Sequence, residues 1–349
     1  MYSEKEAREL LVKAGLELVK SGLIARTWGN ISAKISDEEF VITPSGIPYE
    51  RLAPDMMVKV RIKDLSYEGD IKPSSEKGIH AKAYMHRKDI NFIVHTHQTY
   101  ATALSVTYTD RDIEDEDKAA ILGNKLVTAK YGMPSTKKLM RNVEAAIVAN
   151  MQANTILLMN HGTLCMGRDY ADAFNIAAEL EELAEKIVNR KLKFEDGVEV
   201  DTSEISATIK EYLPDSFVTF VDDPEVRKIS SLADNNIHLL DDYVQIAGVN
   251  IGTIDIDKRN LKNTLDIIAF GREIKSKLNK ANVVFIKNLG AVIASYSEDE
   301  SKAIRMILKK YCIARLYAAG NAAVHRISYP DAIIQRMVYL KKYSKKAKG

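Results

Sequence analysis

The sequence is short of the residues that mark special environments. Two cysteines in 349 residues, Cys165 and Cys312, supply no disulfide framework and fit a reducing compartment. No apolar run approaches the ~18–20 residues that a membrane helix needs. The start, "MYSEKEARELLVKAGLELVKSG", carries charges throughout, unlike a signal peptide, so a cytoplasmic protein is expected. A dominant charge sign is missing as well. Fifty Lys and Arg against 48 Asp and Glu leave a net +2, which draws the chain toward neither nucleic acid nor an acidic membrane. The basic end "KKYSKKAKG" reads as a solvated terminus. Histidine is scarce too, at seven residues, which makes its placement informative.

The remaining composition, 46% apolar and 28% charged, is that of an ordinary globular protein long enough for two domains. Leu10, Leu11, Ala14, Leu18 and Val19 recur at helical spacing and Gly22 offers a left-handed stop, so the chain opens on a helix. Short β-rich segments follow, "NISAKIS", "EFVITPSG" and "MVKVRI", separated by turn residues. "SSEKGIHAKAYMHR" predicts a helix capped by Ser74 or Ser75, "INFIVHTH" a buried strand, and "TKKLMRNVEAAIVANM" a helix. "NTILLMNHGTLCMG" predicts two strands meeting at a turn, followed by the helix "DYADAFNIAAELEELAEKIVNRK". The acidic stretch "DRDIEDEDK" reads as a solvated loop or helix start.

An internal repeat is also visible. "ANTILLMNHGTLCMG" from Ala153 aligns without gaps to "ANVVFIKNLGAVIAS" from Ala281, with Leu289 in place of His161. Two domains are therefore expected, residues 1–205 and a smaller related one over 215–349, with Pro214 at the break.

The chemistry gathers on three histidines. Alternate residues of a strand share a face, so His95 and His97 project the same way with Thr96 opposed. His161 stands at the end of an apolar strand, and Gly162 after it permits a tight turn. Three neutral imidazoles with an open position describe a catalytic zinc site. Manganese, iron or cobalt suit the same donors. His80, His86, His238 and His325 have no second ligand at metal spacing and read as surface or packing residues.

"WGNISAKI", "ITPSGIPYERL", "PSSEKGIHAKAY", "FIVHTH" and "MNHGTLCMG", in that order over roughly residues 5–195, resemble the class II aldolase/adducin family, in particular its fuculose-phosphate aldolases. The resemblance implies an α/β fold with a mostly antiparallel central sheet flanked by helices, and the internal repeat adds after it a smaller, degenerate repeat of the same domain. It implies a divalent zinc ion on His95, His97 and His161. The carboxylate at Glu76 would lie near the metal and move the proton, and desolvation would raise its pKa for that task. Gly29, Asn30, Ser45, Gly46, Ser74 and Ser75 match the positions that hold the substrate phosphate. The expected activity is an aldehyde-lyase acting on a sugar phosphate, with dihydroxyacetone phosphate as donor, in a homo-oligomer (dimer or tetramer). Alternatives within the family are a pentulose-phosphate 4-epimerase and a methylthioribulose-phosphate dehydratase. Outside catalysis the alternative is an adducin-like binding module. The family tyrosine that protonates the leaving aldehyde is not conserved in place: Glu116 stands there, and Tyr108 and Tyr131 remain as substitutes.

Overall fold

The protein is described from a computed structural model that covers residues 1–24, 28–192, 203–232, 237–249, 253–255, 263–319, 321 and 323–343. The basic end from Ser344 onward lies outside the described residues. The chain divides into two compact units. One comprises Met1–Arg190 with Asn321–His325, the other Lys191–Gly320 with Arg326–Gly349.

The first unit opens with α1 (Glu4–Ser21), begun by a reciprocal Ser3–Glu6 capping box and stopped by Gly22 at φ 71°. There follow β1 (Gly29–Lys34), β2 (Glu39–Ile42), β3 (Val58–Arg61), α2 (Lys77–His86), β4 (Phe92–Thr96), α3 (Thr99–Leu104) and β5 (Arg111–Asp112). Next are α4 (Glu116–Leu122), β6 (Lys125–Ala129), α5 (Lys137–Ala149), β7 (Thr155–Leu158), β8 (Gly162–Gly167) and α6 (Tyr170–Asn189). The acidic stretch thus splits into β5 and the start of α4, whose cap is the Asp115 carboxylate.

These strands form one sheet in the order β3-β2-β1-β4-β8-β7-β6-β5. Only β6 and β7 pair in parallel. Every residue of β4, β7 and β8 is buried, which explains why these strands read as apolar runs rather than as alternating ones. Ile79 and Tyr84 of α2 and Leu139 and Val143 of α5 pack with Ile93, Val127, Ile156 and Leu164 of the sheet. Removing one such aliphatic side chain costs about 2–5 kcal/mol.

Strand direction fixes where the chemistry can sit. β4 is antiparallel to β8, and β8 to β7, so β4, β7 and β6 all run one way. β1 is antiparallel to β4. The start of β1 and the ends of β4, β7 and β6 therefore share one edge of the sheet.

The second unit contains α7 (Ser203–Tyr212), β9 (Phe217–Val221), α8 (Pro224–Ser230), α9 (Asp241–Ala247), β10 (Thr253–Ile254) and α10 (Thr264–Leu278). It continues with β11 (Val283–Ile286), β12 (Gly290–Ser295), α11 (Glu298–Ala318) and α12 (Tyr329–Val338). Among the described residues its strands are ordered β10-β11-β12-β9. β10 and β11 pair in parallel and the others antiparallel. Pro214 and α7 belong to this unit, since the division falls between Arg190 and Lys191.

Candidate metal centre

His95 occupies the fourth position of β4, His97 follows that strand by one residue, and His161 sits in the β7–β8 turn. The turn is tight because Asn160 takes the left-handed conformation, φ 62°, which asparagine tolerates better than most residues. Gly162 is required by close approach: a Cβ there would stand 2.3 Å from the Thr96 carbonyl oxygen. The pleat and the turn together bring three imidazoles within ring-centroid distances of 4.7–5.1 Å.

Glu76 is the residue before α2, placed by Ser74, whose Oγ accepts its backbone N–H at 3.2 Å. Its carboxylate lies 3.0 Å from His95 Nε2 and 3.4 Å from His161 Nε2. One donor atom from each of Glu76, His95, His97 and His161 falls within 4.8 Å of all the others. His95 Nδ1–H donates to the Thr163 carbonyl at 2.7 Å. A carbonyl only accepts, so Nδ1 carries a hydrogen and Nε2 is the His95 atom turned to the cluster, where His97 Nε2 lies 3.3 Å away. One Glu76 oxygen is buried without a hydrogen-bond partner, a condition that is costly unless a cation or donor answers it. These four residues fit a divalent ion.

Charge at Glu76 departs from the expectation of a raised pKa. Burial does push the carboxyl up, but the attraction of His161 and His95 outweighs it and holds Glu76 well below the usual carboxylate range. The group is therefore an anion, suited to accept a proton rather than to store one.

The expected phosphate residues lie on three segments that are stitched together. Gly29 and Asn30 begin β1 opposite Thr96 and His95. Ser45 N–H donates to the Lys72 carbonyl and Ser74 N–H to the Thr43 carbonyl, zipping the loop of Ser45 and Gly46 to that of Ser74 and Ser75. Those two backbone N–H groups are thereby engaged, which leaves hydroxyls and neighbouring amides as donors. His80, expected as a surface or packing residue, is wholly buried. Burial pushes its pKa down to about 3, and the neutral ring bonds Asn30 Oδ1 at 2.6 Å and Ser32 Oγ at 2.7 Å. With its Oδ1 held by His80, the amide of Asn30 turns its NH₂ group away from that ring.

Other residues of the site give no signal in the sequence. Thr163 orients His95 through a backbone carbonyl, which any residue supplies. Gln98 Oε1 accepts from Thr96 Oγ1 and Thr163 Oγ1 while its Nε2 donates to the Ala177 carbonyl, locking the strand end that carries His97. Of the two tyrosines left as acids, Tyr131 is buried and Tyr108 is half exposed. Glu116 sits in the first turn of α4. Both cysteines are buried free thiols.

Comparisons with known proteins agree with this layout. Residues 9–188 match the family described as Class II Aldolase and Adducin N-terminal domain. The chain is 33% identical over 194 residues to a 5-deoxy-D-ribulose 1-phosphate aldolase of Bacillus thuringiensis serovar kurstaki, covering 53% of this chain and 85% of that protein. Among solved structures, an L-fuculose 1-phosphate aldolase is similar at 32% identity and a TM-score of 0.51, covering 58% of this chain and 93% of the other. The family match spans more than half of the 349 residues, and the chain belongs to the class II aldolase/adducin family.

Proposed function

We propose that the protein is a metal-dependent aldolase that cleaves or forms a carbon–carbon bond in a ketose 1-phosphate, with dihydroxyacetone phosphate as donor. The observation that carries this reading is the Glu76 carboxylate set against three converging imidazoles. Both named relatives are sugar 1-phosphate aldolases by name. His95, His97 and His161 would hold the ion, and zinc is the one we assign to this donor set. When bound, it supplies Lewis acidity toward the carbonyl and hydroxyl oxygens of the ketose.

The residues of the chain do the rest. In condensation, anionic Glu76 takes a proton from the hydroxymethyl carbon of dihydroxyacetone phosphate. That carbon bonds to the aldehyde carbon, and the aldehyde oxygen gains a proton from Tyr108 or Tyr131. Cleavage reverses each transfer: the hydroxyl proton leaves, the bond breaks, and Glu76 returns its proton to carbon. Asn30 Nδ2 and the hydroxyls of Ser45, Ser74 and Ser75 are the donors we assign to the phosphate, with Gly29 and Gly46 allowing close backbone approach. Proton–deuterium exchange into dihydroxyacetone phosphate, followed by NMR on metal-loaded protein, tests the reading without knowledge of the aldehyde. Stereospecific exchange lost on chelation supports it. Absence of exchange in protein holding one metal per chain rejects it in favour of epimerase or dehydratase chemistry.

We also infer that residues 215–349, apart from the Asn321–His325 segment that joins the first unit, are a smaller aldolase-like domain without metal ligands. Read from β9, the order β9-β12-β11-β10 has the same antiparallel, antiparallel, parallel pairings as β4-β8-β7-β6. Where His95 pairs with Leu164, Phe220 pairs with Val292, and Leu289 takes the place of His161. Metal analysis should return one ion per chain, and two would overturn the inference.

A further inference from the structure

The sheet edge that carries the metal cluster continues past His161 into a cavity that the reaction scheme leaves unassigned. Across that edge stand Gly29 and Asn30 of β1, then the histidines after β4 and β7, then Lys130 and Tyr131 just beyond β6. Gly29 and Asn30 on one side and Tyr131 on the other therefore flank the metal residues along this edge. At the Tyr131 end lies a cavity of about 480 Å³, lined among others by Tyr108, Lys130, Tyr131, Lys138, Met159 and His325.

Its walls are built across long stretches of sequence. The segment Asn321–His325 belongs to the first unit. Val324 bridges to Thr107, and His325 N–H donates to the Val106 carbonyl at 2.9 Å. The His325 ring lies 4.8 Å from that of Tyr131, tilted by 30°. Asn160, next to the metal residue His161, donates from Nδ2 to the His325 carbonyl at 3.0 Å. Asn142 Nδ2 donates to the carbonyls of Lys130 and Tyr131 at 3.0 and 2.9 Å. The cavity is thus tied to the turn that presents the metal residue.

Its charge is one-sided. Lys130 and Lys138 line it, and no carboxylate does. Among the described residues neither lysine is held in an ion pair. The Lys130 ammonium lies over the Tyr108 ring, 5.8 Å from its centre. A neutral hydroxyaldehyde has no use for two ammonium groups. A phosphate ester or carboxylate gains charge-assisted hydrogen bonds from them and from the tyrosine hydroxyl at the rim.

We propose that this cavity receives an anionic group, phosphate ester or carboxylate, on the aldehyde half of the substrate, and so selects acidic aldehydes over neutral ones. The proposal rests on the aldolase reading for its substrate but not for its binding chemistry.

The test uses the metal-loaded full chain and dihydroxyacetone phosphate with paired acceptors: glyceraldehyde 3-phosphate against glyceraldehyde, and glyoxylate against glycolaldehyde. We expect kcat/KM for at least one anionic acceptor to exceed that of its neutral partner by about tenfold or more, with the ratio approaching one in the Lys130→Met/Lys138→Met double variant. Preference in the first pair alone assigns a phosphate ester, and in the second alone a carboxylate. Because each ratio is taken within one preparation, partial misfolding cancels. A wild-type ratio of one or less in both pairs, or a ratio the double variant leaves unmoved, overturns the proposal. If proton exchange into dihydroxyacetone phosphate is absent, the aldolase reading fails, and the cavity is tested by binding. Glycerol 3-phosphate titrated into protein carrying ¹³C-methyl methionine should shift the Met159 signal, and should not do so in the double variant. No shift in wild type overturns the anion site.

Discussion

Two hairpins in this chain share a backbone and differ in what they present. β7 and β8 are joined through Asn160 at φ 62°, and β11 and β12 through Asn288 at φ 64°. His161 N–H donates to the Leu158 carbonyl at 2.9 Å, and Leu289 N–H to the Ile286 carbonyl at 3.1 Å. A Cβ on Gly162 would stand 2.3 Å from the Thr96 oxygen, and one on Gly290 2.2 Å from the Val221 oxygen. One turn ends in an imidazole against a carboxylate and two more imidazoles, the other in a leucine. The turn therefore needs its asparagine and glycine but not its histidine. His161 answers to chemistry, and the backbone around it answers to packing.

Making the first hairpin resemble the second should have the largest effect. His161→Leu should keep the fold, because leucine already occupies the equivalent turn. Metal affinity should fall by more than the ~10–100-fold typical of losing an outer-shell partner, and exchange into dihydroxyacetone phosphate should vanish. Elemental analysis and NMR exchange read the two effects separately, and a variant that retained both would end the distinction between the hairpins. Glu76→Gln comes next. Three imidazoles remain to hold the ion while the proton acceptor is gone, so metal content should persist and exchange should drop by about 10²–10⁴-fold.

The sequence carried the strands and the metal residues because both follow short-range rules. The period of two set His95 and His97 on one face, and Gly162 announced the turn behind His161. Gly22 marked a helix end that the structure keeps, whereas the cap expected at Ser74 or Ser75 falls to Glu76, which makes no side-chain cap bond, because Ser74 turns its hydroxyl to the Glu76 N–H instead. What it hid depends on distant partners. α3 was not expected within "HTHQTYATALS", and its first turn is held by the Glu181 carboxylate, which accepts from the N–H groups of Tyr100 and Ala101. His80 gave no sign of its bond to Asn30. Glu76 was expected to be raised in pKa by desolvation, and that holds as one contribution. The opposing pull of His161 and His95 arises only once the fold assembles them. The return of Asn321–His325 to the first unit has no local signature, since "NAAVH" belongs to none of the sequence motifs.

The shared glycines give a sharper test with a smaller effect. Gly162→Ala and Gly290→Ala each force a Cβ against a facing carbonyl, and each should loosen its own hairpin by about 1–3 kcal/mol, read from hydrogen exchange of the strand amides. Only Gly162→Ala should also cut proton exchange into substrate, since its Cβ would stand 3.0 Å from the His97 ring. Equal losses of activity from both would show that the second hairpin supports catalysis after all.

The smallest expected effect separates the two uses of asparagine at position 160. Its left-handed backbone is one, and its side-chain amide, donated to the His325 carbonyl, is the other. Asn160→Gly keeps the first, because glycine adopts positive φ freely, and removes only the second, a net loss of about 1 kcal/mol. Asn160→Ala removes both and adds about 1–2 kcal/mol for a Cβ in the left-handed region. Denaturant unfolding of the two variants should therefore rank wild type above glycine and glycine above alanine. A glycine variant as stable as wild type would mean that the bond to His325 contributes nothing to the turn, and that the backbone alone, as in the leucine-bearing hairpin, is enough to place His161.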